Sequence, residues 1–210
     1  MAQVMFFGDS ITYGMWDSHG GWVARLRADI DSLVIKSKYL KWQEVFNLGV
    51  SGDFTKDVLK RIKTELPDRL RINKDCLVII GVGINDTKYG EGSSESTPEL
   101  YRKQLNQICQ HVRKYTKQIM FLGLTTVDEE VFGQERWIKD KGAFSNQRIK
   151  EFDEVLLEVC NQQQAAYVPL YYDFISRGKK LLADGIHPND RGHELIYKTV
   201  KPFVWQQLNF

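Results

Sequence analysis

The stretch Met1-Ala-Gln-Val-Met-Phe-Phe-Gly8-Asp9-Ser10 opens the chain and decides its fold. Its apolar run ends abruptly at Gly8, and the polar pair Asp9-Ser10 follows at once. This pattern predicts a buried strand that runs into a tight turn. Because sites in open α/β sheets lie at the carboxyl ends of the strands, the hydroxyl of Ser10 is a candidate nucleophile.

Four more apolar runs alternate with helical patterns along the chain. The predicted strands are 44–48, 76–80, 118–122 and 165–168, and residues 76–80 are apolar on every side, as in a central parallel strand. Apolar residues at helical spacing lie between these runs, and the last helix is predicted from Asp190 to Leu208. The alternation predicts an α/β fold with a five-stranded parallel sheet covered by helices on both faces.

The composition is that of a globular protein. Hydrophobic residues make up 42% and charged residues 27%, and no Pro/Gly/Ser-rich linker divides the chain, so residues 1–210 are predicted to form one domain. Basic residues are scattered at a net charge of +2, which argues against a nucleic-acid partner. No apolar run reaches about 18 residues and the N-terminus lacks a basic signal region, so we expect no integral membrane segment and a cytoplasmic location. The three cysteines lack a C-x-x-C spacing and are expected to be buried free thiols.

Four polar turns contain the residues that can carry chemistry. The turns after the first three strands hold Ser10, Ser51-Gly52 and Asn85. The fourth, Asp184-Gly-Ile-His187-Pro188, lies just ahead of the last helix. Because the turns of a parallel sheet fall on one edge, they can converge although they are far apart along the chain.

Acyl transfer by a serine needs a base, a group that orients the base, and donors for the oxyanion. His187 is the candidate base for Ser10, and Asp184 is positioned three residues earlier to reach the other ring nitrogen. The candidate oxyanion donors are the backbone N–H groups of Ser10 and Gly52 and the side-chain amide of Asn85.

The same turns contain the blocks Gly8-Asp9-Ser10-Ile11, Ser51-Gly52, Gly83-Ile84-Asn85-Asp86 and Asp184-Gly185-Ile186-His187-Pro188. In this order they resemble the four blocks of the SGNH (GDSL-type) hydrolases, over residues 8–188. The resemblance implies a three-layer α/β/α, flavodoxin-like fold and a serine ester hydrolase without metal or cofactor, whose partner is a small-molecule ester. It implies that Ser10 is the nucleophile, His187 the base, Asp184 its orienter, and Gly52 and Asn85 oxyanion donors.

The candidate substrate contacts are Asp9, Tyr13, Trp16 and Phe54. Phe54 stands where many members of the family have threonine, so we expect it to shape the floor of the pocket. Tyr13 and Trp16 lie near the first turn, where lining of the cleft and packing in the core are equally consistent with the sequence. The segments 86–97, 125–143 and 174–183 are predicted loops around the cleft, and 125–143 is expected to be lid-like.

Two alternatives remain open at this stage. A carbohydrate or small-acyl deacetylase would use the same chemistry on a different alcohol. A flavodoxin-like binding module would hold a phosphate or flavin in the same turns without catalysis. The remaining histidines show no ligand spacing such as H-E-x-x-H, so no metal site is predicted; these are His19, His111 and His193.

Overall fold

A computed structural model describes residues 2–71, 75–90, 96–131 and 143–208. Five strands form one parallel sheet in the order β2-β1-β3-β4-β5. Their bounds are β1 (Ala2–Gly8), β2 (Gln43–Gly49), β3 (Asp75–Gly81), β4 (Gln118–Leu122) and β5 (Ala166–Val168). This order is that of flavodoxin-like folds, so the predicted five-stranded parallel sheet and its topology are confirmed.

Helices connect the strands and cover the sheet. Their bounds are α1 (Ser10–Tyr13), α2 (Gly21–Lys36), α3 (Thr55–Arg69), α4 (Pro98–Val112), α5 (Asn146–Gln163), α6 (Tyr171–Arg177) and α7 (Asp190–Leu208). Two short 3₁₀ helices span Asn85–Thr87 and Gly178–Leu181. The last helix has the bounds that the sequence predicts.

The sheet separates two hydrophobic cores, because successive side chains of a strand point to opposite faces. Met5 and Phe7 of β1 belong to the core that α3, α4 and α5 cover. Val4 and Phe6 belong to the core that α2 and α7 cover. The predicted three-layer α/β/α arrangement is therefore confirmed.

The register of the central strands brings their ends to one level. Gly8 at the end of β1 pairs with Gly49 at the end of β2 and with Gly81 at the end of β3. The three turns that follow these strands therefore start side by side on the carboxyl edge of the sheet. This alignment lets residues from distant parts of the chain meet.

One predicted loop is wrong and two are described only in part. Residues 174–183 are mostly helical, because Phe174 and Leu181 are buried in the core beside α7 and fix α6 and the 3₁₀ helix that follows it. The lid-like segment 125–143 and the loop 86–97 include residues 132–142 and 91–95, which lie outside the described residues.

The three cysteines, Cys76, Cys109 and Cys160, are free and buried, as predicted. In the described part of the chain, every helix is too short or too polar to cross a lipid bilayer.

Candidate active site

Ser10 is the first residue of α1, immediately after the turn that ends β1. The Asp9 carboxylate caps this short helix by accepting the Ile11 N–H at 2.9 Å. The Ser10 carbonyl accepts the N–H groups of Gly14 and Met15 at 3.1 and 3.0 Å, so main-chain bonds fix the residue from both sides. Ser10 is only 4% exposed, and the local fold sets the direction of its hydroxyl.

A closed turn presents Asp184 and His187. Asp184 Oδ1 accepts the N–H of His187 at 2.8 Å and that of Ile186 at 3.1 Å. The Ala183 N–H donates to the His187 carbonyl at 2.8 Å, which closes the turn at its base. Asn189, two residues after His187 and directly before α7, donates its side-chain amide to the Leu182 carbonyl. This hydrogen bond ties the turn to the start of α7.

Three side chains form a continuous line of contacts across these two turns. Ser10 Oγ lies 2.9 Å from His187 Nε2. On the other side of the ring, His187 Nδ1 lies 2.7 Å from Asp184 Oδ2. The fold thus brings together three predicted site residues that lie at opposite ends of the sequence.

The pKa of Asp184 is strongly lowered in this turn. Burial alone raises the pKa of Asp184, but hydrogen bonds from the side chain and the backbone of His187 outweigh that effect and lower it to about 2. Asp184 is therefore an anion at any pH above about 3. An anion at this position favours the His187 tautomer with a proton on Nδ1, which leaves Nε2 as an acceptor for the Ser10 hydroxyl.

Two glycines, Gly49 at the end of β2 and Gly52 in the turn that follows, have different structural roles. A Cβ on Gly49 would lie 2.3 Å from the backbone nitrogen of Tyr13, so only glycine permits this approach of β2 to α1. Gly52 has space around it but adopts a φ of +85°, which disfavours other residues. The Val50 N–H donates to the Gly8 carbonyl at 2.9 Å and holds this turn against the turn of Ser10.

Asn85 begins the 3₁₀ helix after β3 and faces the turn of Gly52. Its Nδ2 donates to the Asp53 carbonyl at 2.9 Å, so one amide hydrogen fixes the side chain. The next residue, Asp86, accepts the backbone N–H and the hydroxyl of Thr55, each at 2.9 Å. Burial raises the pKa of Asp86, although three hydrogen bonds from Thr55 and Ser96 oppose the increase.

These turns enclose a cleft of about 260 Å³. Its lining residues are Ser10, Ser51, Gly52, Phe54, Asn85, Lys88, Phe144, Ile186 and His187. The nucleophile, base and oxyanion candidates thus share one open space with three apolar side chains. Phe54, predicted to shape the pocket floor, lines this cleft.

The other three candidate substrate contacts lie outside this lining. Asp9 is 1% exposed, and its carboxylate faces a small apolar cavity of about 30 Å³ behind α1. Trp16 is 59% exposed and donates its indole N–H to Asp184 Oδ2 at 2.8 Å. Tyr13 is 60% exposed on the surface of α1, so neither aromatic residue is packed in the core.

The sequence contains no metal-ligand spacing, yet the fold brings His19 close to Asp17 and Asp190. Their potential ligand atoms lie within 4.8 Å of one another. Arg25 already occupies this cluster, because its guanidinium donates to both oxygens of Asp17, at 3.1 and 2.8 Å. The ion pair with Arg25 therefore accounts for the negative charge of Asp17.

The comparison with known proteins agrees with this geometry. A sequence profile described as the GDSL-like lipase/acylhydrolase family matches residues 6–195, which include all four turns. The chain belongs to this family. Membership in the GDSL-like lipase/acylhydrolase family identifies the chain as an ester hydrolase.

Individual relatives of the chain are distant. A multidomain esterase from Ruminococcus flavefaciens is 25% identical over 93% of this chain, which spans only 27% of that protein. A lipase/acylhydrolase from Enterococcus faecalis has a similar structure, with a TM-score of 0.73, 23% identity, and coverage of 99% of this chain and 97% of the other. An acetylxylan esterase from Geobacillus stearothermophilus also has a TM-score of 0.73, at 17% identity, covering 99% of this chain and 94% of the other. These structural matches show a shared fold.

Sequence reasoning missed the residues that hold the GDSL-like site in place. Arg61 of α3 donates to Asp53 at 2.7 Å and to the carbonyls of Leu48 and Gly8 at 3.1 and 3.3 Å, which ties together the ends of β1 and β2. A single arginine on an amphipathic helix carries no signal of this role. Ile186, by contrast, stands between Asp184 and His187, and its place in the fourth block is the signal that it lines the cleft.

Proposed function

We propose that the chain hydrolyses carboxylic esters in two steps, through an acyl-enzyme on Ser10. The observation that carries this proposal is the line of contacts from Ser10 Oγ to His187 Nε2 at 2.9 Å and from His187 Nδ1 to Asp184 Oδ2 at 2.7 Å. A nucleophile that contacts a base, which in turn contacts an orienting anion, is the geometry that acyl transfer requires.

In the first step, Ser10 Oγ bonds to the carbonyl carbon of the ester while His187 Nε2 takes the hydroxyl proton. The carbonyl oxygen becomes an oxyanion, and the ring becomes an imidazolium. The Asp184 carboxylate stabilises that imidazolium by keeping its negative charge next to Nδ1. The low pKa of Asp184, about 2, supports this role because the carboxylate stays ionised throughout.

The oxyanion is stabilised by the N–H groups of Ser10 and Gly52 and by the Asn85 amide. An amide carries two hydrogens on Nδ2, and the bond to the Asp53 carbonyl uses one of them. The other is available to the cleft that Asn85 lines. Donors fixed before the reaction stabilise a developing charge without a cost of reorganisation.

The oxyanion then collapses and the bond to the alcohol breaks, which completes the first step. The alcohol leaves with the proton from His187 Nε2, and the acyl group stays on Ser10. A water then attacks the acyl-enzyme, His187 takes one of its protons, and that proton returns to Ser10 Oγ as the acid leaves. The cycle restores the enzyme and consumes one water for each ester cleaved.

We propose a short acyl group as the preferred substrate. The open cleft between the described residues has a volume of about 260 Å³, below the range of about 300–1,000 Å³ that is usual for sites that enclose larger small molecules. Phe54, Phe144 and Ile186 provide an apolar wall beside Ser10. This observation supports the small-acyl deacetylase as the second candidate, with acetate released from a larger alcohol.

Hydrolysis of p-nitrophenyl acetate by the wild type and by Ser10→Ala tests the proposal. We expect turnover by the wild type, loss of activity in Ser10→Ala, and full activity in Ser176→Ala, a matched change on the surface of α6. Undiminished hydrolysis by Ser10→Ala contradicts the proposal. A series of p-nitrophenyl esters from acetate to laurate then measures the preferred acyl length, and the volume of the cleft predicts a maximum at the short end.

Covalent labelling separates the enzyme from a binding module. A fluorophosphonate probe should modify the wild-type chain at Ser10 and leave Ser10→Ala unmodified, as read by intact-protein mass spectrometry. A chain that resists the probe and purifies with a yellow chromophore would instead be a flavin-binding module.

A further inference from the structure

We infer that Trp16 is a positioning residue, whose indole N–H holds the carboxylate of Asp184 in the orientation that serves His187. This inference rests on the proposed function, because it assigns to Trp16 the task of holding the carboxylate that orients the proposed base, His187. Trp16 was a candidate substrate contact in the sequence, and its observed hydrogen bond gives it a different task.

Among the described residues, the Asp184 carboxylate accepts four hydrogen bonds, two on each oxygen. Oδ1 accepts the backbone N–H groups of Ile186 and His187, which belong to the same turn. Oδ2 accepts His187 Nδ1 at 2.7 Å and Trp16 Nε1 at 2.8 Å. Of these four donors, Trp16 alone comes from outside the turn, so it fixes the turn relative to α1 and to Ser10.

The backbone of Trp16 is held in a conformation that few residues adopt. Its φ is +66°, which is uncommon for a residue other than glycine and typical of positions that the surrounding structure constrains. The neighbours on both sides are anchored. His193, fully buried on α7, contacts the Met15 carbonyl through Nε2 at 2.9 Å, and Arg25 pairs with Asp17 at 2.8 Å.

The position of the indole ring agrees better with a role in orienting His187 than with contact to the substrate. Trp16 is absent from the lining of the cleft, and its ring stands edge-on to that of His187, with 6.4 Å between centroids and 83° between planes. The indole N–H and His187 Nδ1 both contact Asp184 Oδ2, whereas Ser10 contacts the other ring nitrogen of His187. Because Trp16 is 59% exposed, its replacement opens no cavity in the core.

Two replacements of Trp16 remove the donor and differ in what they keep. Trp16→Phe loses the N–H and part of the ring, whereas incorporation of 3-benzothienylalanine at position 16 replaces N–H by sulfur and keeps the bicyclic shape. Trp42→Phe is the matched control. Trp42 is 44% exposed and directly precedes β2, so it lies at the amino ends of the strands, opposite the carboxyl edge that carries the site. The kcat and KM of each variant are measured with p-nitrophenyl acetate and butyrate.

We expect both replacements at position 16 to lower kcat about 10- to 150-fold on both esters, as for the loss of a hydrogen bond to a charged group. KM should stay within about twofold of wild type, and Trp42→Phe should match the wild type. A change confined to KM, or one that depends on the acyl chain, would assign Trp16 to the substrate site and overturn the inference. So would a kcat for the benzothienyl variant equal to that of wild type.

A spectroscopic readout separates failure of this inference from failure of the proposed function. The His187 Nδ1 proton, identified by its loss in His187→Gln, is followed by proton NMR in the inactive Ser10→Ala background. We expect the benzothienyl replacement to shift this resonance and to speed its exchange with water. An unchanged resonance overturns the positioning role even if Ser10→Ala is inactive. Activity of Ser10→Ala with a shifted resonance contradicts the nucleophile and leaves the contact between Trp16 and Asp184 supported.

Discussion

Asp9 and Asp184 are two carboxylates on either side of the Ser10–His187 pair, and their acidities differ widely. Burial raises the pKa of Asp9 to about 7, against the weaker opposing effects of the Ile11 N–H and of the nearby His187. The pKa of Asp184 is instead lowered to about 2. One carboxyl group gains a proton near neutral pH, while the other remains an anion even in mild acid.

The number and kind of donors explain the difference. Asp184 accepts four hydrogen bonds, one of them from the side chain of His187. Asp9 interacts with the backbone N–H groups of Ile11 and Thr12 and otherwise lines a small apolar cavity, whose walls include Trp22, Leu122 and Ile196. Desolvation disfavours the anion at both positions, but only at Asp184 do the donors outweigh it.

Asp86 is a third carboxyl group near the site, and it is almost completely buried. It is 1% exposed and accepts three hydrogen bonds, all from uncharged groups of Thr55 and Ser96. Its pKa is nevertheless raised, with burial as the largest cause. Three neutral donors thus fail to offset complete burial at Asp86. Asp184 is only partly buried, so a smaller desolvation penalty acts together with the contact to His187 to lower its pKa.

The largest effect should come from Asp184→Asn. The amide places an N–H opposite His187 Nδ1 and so favours the tautomer that carries its proton on Nε2, where it can no longer accept the Ser10 proton. We expect kcat to fall about 10³–10⁴-fold, as when the orienting carboxylate of a serine triad becomes an amide. Steady-state hydrolysis of p-nitrophenyl acetate measures it.

Asp9→Asn is the matched control for that measurement. It makes the same chemical change beside the same serine, but Asp9 has no hydrogen bond to His187 among the described residues. We expect its kcat to stay within about tenfold of wild type at pH 8. An equal loss of kcat in the two variants would mean that negative charge near the site matters and the tautomer of His187 does not. The proposed difference in role between Asp9 and Asp184 would then be wrong.

The polar turns were predictable because glycine and polar residues interrupt apolar runs at fixed points. The runs that end at Gly8 and Ile80 predict β1 and β3, and the parallel arrangement requires their turns to share an edge. Neither conclusion needs side-chain coordinates. For this reason the parallel sheet and the convergence of Ser10, Asn85 and His187 were predictable from the sequence pattern, whereas the strand order was implied only by the resemblance to the SGNH hydrolases.

The supporting contacts were not predictable, because they depend on tertiary geometry. The indole N–H of Trp16 reaches Asp184 only through a backbone φ of +66° that no local pattern indicates. Asp9 was expected in the cleft beside its neighbour Ser10, but the cap of α1 turns its carboxylate into the interior. Adjacent residues at a strand end can face opposite sides, and the sequence does not say which side is buried.

The second-largest expected effect is a pH-dependent change in the free energy of unfolding when Asp9 is replaced. Because the pKa of Asp9 is about 7 in the folded chain and about 3.9 unfolded, the folded state binds more protons between these values, and its stability falls as pH rises through this window. Asp9→Asn removes the penalty, so its free energy of unfolding relative to wild type should rise by about 3–4 kcal/mol from pH 4 to pH 8.

Urea unfolding of Asp9→Asn at pH 4, 6 and 8 gives this difference directly. Asp31→Asn, a matched change on the exposed surface of α2, should show no comparable trend. If the difference between Asp9→Asn and wild type is the same at all three pH values, Asp9 keeps an ordinary acidity in the folded chain. The contrast with Asp184 would then rest on Asp184 alone.

The smallest effect should come from Ser96→Ala, which removes one of the three hydrogen-bond donors to Asp86. The variant should lose about 1.5–3 kcal/mol of stability at pH 8, the usual contribution of a hydrogen bond to a charged group. Because the folded pKa of Asp86 is raised, the carboxyl group takes up a proton as pH falls and then depends less on its donors. The loss should therefore shrink toward pH 4, whereas Ser176→Ala should stay near wild type at both pH values. A loss in Ser96→Ala that is independent of pH would mean that Ser96 contributes through packing, and its hydrogen bond would no longer count among the causes that oppose the raised pKa of Asp86.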